Sequence, residues 1–211
     1  APATAPRPQP SPHDEGRTMN DTATDIAPAG PSSGAQPLVQ VDNLHIRFVG
    51  RERTIDAVNG VSFSVDAGEV LCILGESGSG KSVTLRAMMR LHPPHLTKMS
   101  GTVTVAGKDI LGLGGSALSD LRGPEVAMIF QEPMTSFDPV FTVGTQIMET
   151  VKRHDGLSDS AARKRALELL EMVQIPSPER RLANYPHEMS GGMRQRAMIA
   201  LALSCRPRLL L

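Results

Sequence analysis

Tryptophan is absent from the 211-residue chain, tyrosine occurs once and phenylalanine five times. Aromatics are 3% of the residues, so an aromatic near a motif calls for its own explanation. Cysteine is scarce as well. Cys72 and Cys205 offer neither a disulfide framework nor metal-ligand spacing, and both read as small core or near-core residues. Neither sign of charge is in excess, 22 Lys and Arg balancing 22 Asp and Glu. A nucleic-acid-binding surface usually carries a basic surplus, so that class gains no support. No apolar run approaches the roughly 18 residues of a membrane span, and no secretory h-region is present. The default is a cytosolic protein, and 40% apolar residues suffice for one sizeable core.

What is present centres on Gly75-Glu76-Ser77-Gly78-Ser79-Gly80-Lys81-Ser82. An apolar run, Val70 to Leu74, precedes it and a helical pattern, Val83 to Met89, follows. Strand, glycine loop and helix in that order, with G-x-x-x-x-G-K-[ST] between, is the phosphate-binding P-loop or Walker A motif. Gly75, Gly78 and Gly80 permit backbone angles that a side chain forbids and let amides approach a ligand. Those amides and the helix start face an anion together. Lys81 brings a mobile positive charge to the β- and γ-phosphates. Ser82 offers a hydroxyl to Mg²⁺, which takes hard oxygen ligands and keeps several waters.

Residues 1–37 hold 8 of the 17 prolines, with Ala, Ser, Thr and Gly filling much of the rest. Such composition has too little apolar surface to offset its ordering entropy and reads as a disordered tail. Met19 within it is a candidate start. From Leu38 onward apolar residues suggest strands, with Asn59-Gly60 a tight-turn signal. The P-loop helix is expected to run to about Leu91, before Pro93-Pro94. Gly101 to Gly107 reads as a strand, Ala117 to Leu121 as a short helix, and Val126 to Phe130 as a buried parallel strand. Thereafter the pattern is helical. Val143, Ile147 and Val151 share one face, Ser158 caps a helix through Met172, and Ser190-Gly191-Gly192 opens a helix through Leu203. Leu209 starts another strand. The expectation is an α/β P-loop NTPase with a mainly parallel core sheet, antiparallel N-terminal strands, and a helical insertion over about 132–189 in a domain spanning 38–211.

Two further stretches carry a family resemblance. Met189-Ser190-Gly191-Gly192-Met193-Arg194-Gln195-Arg196 resembles the signature sequence of ATP-binding cassette (ABC) proteins, and Phe130-Gln131-Glu132 resembles their Q-loop, 50 positions after Lys81. The runs Gln131 to Val140 and Tyr185 to Arg196 resemble the oligopeptide/dipeptide importer branch, whose wording nickel and glutathione importers largely share. Met193 departs from the Gln common in the wider family but is typical of this branch.

The resemblance implies an energy-coupling ATPase subunit that binds ATP and Mg²⁺ between two cassettes arranged head to tail, as a homo- or heterodimer. Ser190, Gly191 and Gly192 would address the γ-phosphate held by the opposite P-loop. Gln131 would touch Mg²⁺ or the attacking water and report nucleotide state through the helical insertion. Lys81 and Gln131 are thus the candidate catalytic residues, and Ser82 and Gln131 the candidate metal ligands. Phe48 stands where the family places an aromatic against adenine; an ordinary strand-face core phenylalanine is the other reading. Further partners implied are two membrane permease subunits and, indirectly, a periplasmic or extracellular solute-binding protein. The location implied is peripheral, on the cytoplasmic face of the cell membrane. A Walker B Asp, a water-polarising Glu and a switch His would follow Leu211, the Asp about three residues on by the family pattern for this chemistry. The chain therefore reads as a fragment of a longer protein, inactive alone. Competing classes are an ABC protein acting on ribosomes or DNA, which the balanced charge does not support, and another P-loop kinase or GTPase. The N-K-x-D guanine motif is missing from these residues. His187 lacks a second His or Cys at metal spacing, and Arg163-Lys164-Arg165 reads as a solvated helix face.

Overall fold

Alternating apolar residues place Val39, Val41, Leu44 and Ile46 on the buried side of β1 (Val39–Val49), the period-two pattern of a half-covered strand. β1 is central in an antiparallel sheet with β2 (Thr54–Val65), β3 (Thr97–Val105) and the short β4 (Lys108–Asp109), in the order β2-β1-β3-β4. The protein is described by a computed structural model over residues 36–132 and 136–211. The tail expectation, apart from Gln36 and Pro37, and the residues Pro133 to Thr135 lie outside that range.

The hairpin between β1 and β2 turns at Gly50–Arg53, where the Gly50 amide donates to the Arg53 carbonyl at 3.0 Å. Asn59-Gly60 is not the turn. Leu44 faces Val61 and His45 faces Asn59, so Gly60 is an extra residue in a continuous strand, at φ 75°. This is a β-bulge built on a left-handed glycine. The same φ > 0 chemistry serves a turn or a bulge, and cross-strand register decides which.

Val70–Leu74, expected as the strand before the P-loop, forms no ladder among the described residues. Val70 is 92% and Leu74 85% exposed. An apolar run becomes a strand only when neighbours take up its amides and cover its side chains, and no described strand lies against it. Val70, Leu71 and Ile73 instead line a groove of about 490 Å³ together with Leu209, Leu210 and Leu211. Cys72 is consequently exposed rather than near-core, whereas Cys205 is buried, and burial pushes its thiol pKa up.

The parallel pairing is between β5 (Val126–Ala127) and β6 (Leu209–Leu210). Ladder bonds extend it at both ends, Leu209 N to Glu125 O at 2.9 Å and Ile129 N to Leu211 O at 2.8 Å. α1 (Lys81–Ala87) is shorter than the apolar pattern implied, and α2 spans Gly115–Leu121. Arg90 at φ 48° ends the α1 turn before Pro93. These elements share one core, in which Leu44, Ile46, Val103, Val105, Ile110, Leu121 and Val126 are fully buried.

A second core lies among α3 (Val143–Asp155), α4 (Asp159–Met172), α5 (Pro178–Leu182) and α6 (Gly191–Leu203). Val143, Ile147 and Val151 point into it from α3, Leu169 and Leu170 from α4, Ala197 and Ala200 from α6. Each long helix begins on a side-chain cap: Thr142 accepts from Thr145, Ser158 from Ala161, and Ser190 from Met193. Gly144 is where α3 meets α5, since a Cβ there would stand 2.6 Å from the Leu182 carbonyl oxygen. From the first turns of α3, the Gln146 side chain holds the preceding loop: it accepts from the Asp138 amide at 2.9 Å and donates to the Asp138 and Phe141 carbonyls at 2.9 and 3.0 Å.

Candidate functional site

The P-loop is a curl of backbone with its lysine turned inward. Lys81 Nζ donates to the carbonyls of Gly75 at 2.7 Å and Glu76 at 2.6 Å, and to Ser79 Oγ at 3.2 Å. The ammonium is thereby fixed at the mouth of the loop rather than free in solvent. α1 starts from Gly80 at φ 89° with no side-chain cap, so its leading amides have no intrahelical acceptor. Those donors and the Lys81 ammonium create one electropositive concavity, suited to phosphate oxygens. A cavity of about 130 Å³ opens along Gly78, Ser79, Gly80, Lys81, Ser82 and Val83.

Two loop glycines are demanded by the chain itself. A Cβ on Gly80 would lie 2.5 Å from the Ala57 carbonyl oxygen, and one on Gly75 would lie 2.7 Å from Ser79 Oγ. Gly78 has open space but holds φ 85°. The loop thus rests against β2, and Thr84 anchors the first turn by donating its amide and hydroxyl to Gly80 O at 2.8 and 3.1 Å. Glu76 and Ser77 lie exposed along the rim. Ser82 presents an exposed hydroxyl on the first turn of α1, a hard oxygen donor that fits a cation such as Mg²⁺.

Gln131 is exposed, just past the end of the β5 ladder. Ser190 caps α6, accepting from the Met193 amide at 3.3 Å, while Arg194 donates to the Met189 carbonyl at 2.8 Å. Gly191 and Gly192 are exposed, and a Cβ on either would meet nothing within 4 Å. The cavity along the P-loop is lined neither by Gln131 nor by Ser190–Gly192. The turn before Ser190 is held by Glu188, whose carboxylate accepts from Tyr185 N at 2.7 Å and Asn184 Nδ2 at 2.9 Å. Those two hydrogen bonds pull its pKa below the ordinary carboxylate range.

Phe48 is half-buried at the end of β1, opposite Ile55 of β2. Ile55 is two residues before Ala57, which touches Gly80, so about 7 Å of strand separates the two contacts. Its ring meets His92 edge to face, with centroids 5.3 Å apart. His92 escapes sequence reading because no motif contains it and 44 residues separate the pair.

The sequence profile of the ABC transporter family matches residues 58–211. The chain belongs to the ABC transporter family. "Probable peptide ABC transporter ATP-binding protein y4tR" of Sinorhizobium fredii is 51% identical over 84% of this chain and 53% of its own length. The oligopeptide transport ATP-binding protein OppD of Bacillus subtilis is 49% identical over 82% of this chain and 49% of its own. The chain thus spans about half the length of these curated ABC relatives. In structure it is similar to the ATP-binding cassette MJ0796, solved as a dimer bound to ADP and Pi, at TM-score 0.72 and 28% identity. That likeness covers 82% of this chain and 72% of the other. The α/β architecture is therefore that of an ABC P-loop cassette. Among the described residues no helix is long and apolar enough to cross a membrane.

Proposed function

We propose that the chain is the nucleotide-binding part of the ATPase subunit of an ABC importer for peptides, or for related small solutes such as nickel or glutathione. The observation that carries this reading is the P-loop: an uncapped helix start, a lysine held at the loop's mouth, and a glycine, Gly80, that the packing against β2 requires. Relatives named for peptide transport and peptide import support the solute class.

In this reading residues 38–211 make up the cassette domain, with residues from about 132 to 189 as its helical part. Residues 75–82 bind the phosphates of ATP, Lys81 exchanging its loop carbonyls for β- and γ-phosphate oxygens. Phe48 receives the adenine. Ser82 and Gln131 would hold Mg²⁺, which when bound neutralises charge on the phosphates. Gln131 also orients the attacking water, since phosphoryl transfer relies on positioning and charge stabilisation more than on covalent help.

Ser190, Gly191 and Gly192 act on the nucleotide of a second cassette. Glycine inside a helix costs about 1 kcal/mol relative to alanine, and no described residue occupies the space that the missing side chains of Gly191 and Gly192 leave. A partner approaching that surface supplies the reason for them. Two permease subunits hold the cassette pair at the cytoplasmic face of the membrane, and a solute-binding protein delivers the cargo. The test is phosphate release from the full-length subunit, alone and co-expressed with the permease subunits of its own operon. ATP-dependent turnover lost in Lys81→Ala, with the subunit co-purifying with those permeases, is expected. A full-length subunit that neither hydrolyses ATP nor associates with a permease sinks the proposal.

A further inference from the structure

His92 lies beyond α1 and is only 9% exposed. Its Nε2 lies 2.8 Å from the Val83 carbonyl oxygen. A carbonyl can only accept, so Nε2 carries the hydrogen and donates it. Val83 belongs to the first turn of α1, directly after Lys81 and Ser82. The imidazole therefore grips the P-loop helix by its backbone, where changes of neighbouring side chains leave the contact intact.

The same ring packs against Phe48, edge to face, with an interplanar angle of 75°. Such pairs favour this geometry and hold each other's orientation. Phe48 has strand neighbours on both sides, Ile55 in β2 and Thr97 in β3, which fix its backbone but leave ring rotation to local packing. His92, in contact with Phe48 and bonded to Val83, links the ring to α1. A buried, hydrogen-bonded ring loses little freedom when a ligand arrives, so the ordering cost of the phenyl group is met before binding.

We propose that His92 is a positioning residue for the nucleotide base: it locks the Phe48 ring in register with the P-loop helix, making base platform and phosphate cradle one rigid unit. This rests on Phe48 receiving the adenine. It adds a residue outside the P-loop, Q-loop and signature, and it assigns His92 selectivity for the base end of the ligand with no effect on the phosphate end.

The test uses the full-length subunit and two probes, ATP and inorganic tripolyphosphate, which carries phosphates without a base. Equilibrium binding is measured for wild type, His92→Ala, His92→Gln, Phe48→Ala and the double variant His92→Ala/Phe48→Ala. His92→Ala is expected to weaken ATP roughly 2- to 12-fold, the worth of one aromatic contact, and to leave tripolyphosphate affinity unchanged. The His92 effect should vanish in the Phe48→Ala background. His92→Gln keeps a donor for Val83 O but no ring, so it should show the same selective loss and carries the test if the alanine variant folds poorly. If Phe48→Ala weakens ATP and neither His92 variant does, the positioning role is overturned while the base platform stands. If neither Phe48 nor His92 variants distinguish the two probes, the base platform itself fails. Equal loss of both probes in the His92 variants overturns the proposal in favour of general support of α1.

Discussion

The starts of α1 and α6 both carry glycines, and they carry them for opposite reasons. At α1, Gly80 has a left-handed φ and no room for a Cβ, because β2 passes against it. The helix has no side-chain cap, so its donors are left for something else. At α6, Ser190 caps the helix and Gly191 and Gly192 face open space. The first start is built by the chain's interior and left open toward a ligand. The second is capped by its own side chain, and no described residue stands where a Cβ on its glycines would point. Glycine enrichment alone says little; what a Cβ would strike separates a loop shaped from within from a surface that its own fold leaves open.

The sharpest break of that comparison pairs Lys81→Ala with Ser190→Ala. Removing Lys81 should cost the isolated full-length subunit on the order of 10²-fold or more in ATP affinity, as for truncating one member of a buried charge pair. Ser190→Ala should leave monomer affinity unchanged while costing about 1 kcal/mol of cap energy in α6 and impairing ATP-driven dimerisation and turnover. Titration calorimetry and sedimentation in the presence of ATP separate the two. Equal loss of monomer affinity would place both residues on the same nucleotide.

The glycines give the next largest contrast. Gly80→Ala must strain a left-handed residue and push on the Ala57 carbonyl, a combined cost of roughly 2–4 kcal/mol. A lower melting temperature and weaker nucleotide binding should appear together. Gly192→Ala should leave the melting temperature unchanged or raise stability by up to about 1 kcal/mol, yet lower steady-state turnover at least about tenfold, because a methyl group stands where a partner must fit. A Gly192→Ala variant with normal turnover would remove the case for a partner at α6.

The smallest effect concerns the approach to Ser190. The Glu188 carboxylate holds the Tyr185 amide and the Asn184 side chain, and its pKa is lowered by those bonds. A folded pKa below the unfolded one contributes stability above the ordinary carboxylate range and loses it as pH falls through the folded value. Amide exchange at Tyr185, corrected for the intrinsic acid dependence, should therefore accelerate at acid pH. Glu188→Gln should flatten that response. The P-loop has no carboxylate in an equivalent role, so exchange at the Thr84 amide should not share it.

Helix starts were the most legible part of the sequence. Ser158, Ser190 and the Val143/Ile147/Val151 face each specify a helix through local rules, capping and a 3.6-residue period, and the structure places α3, α4 and α6 accordingly. Strand behaviour was harder, because it depends on neighbours. Asn59-Gly60 signalled positive φ correctly, but only the pairing of β1 with β2 made it a bulge. Val70–Leu74 has strand composition and finds no described partner. The residues of the P-loop were legible because a glycine loop is a local device. The tie from Phe48 through His92 to Val83 was not, since it joins three segments that only folding brings together.

The Gln146 amide group takes both hydrogen-bonding groups of Asp138 and the carbonyl of Phe141. The connection from Ser136 to Thr142 lacks regular structure, yet its backbone is moored to one side chain on the first turns of α3. A segment tethered in this way is set in place by α3 as a bracket is by its post, so the exposed Val140 and Phe141 take their position from that helix.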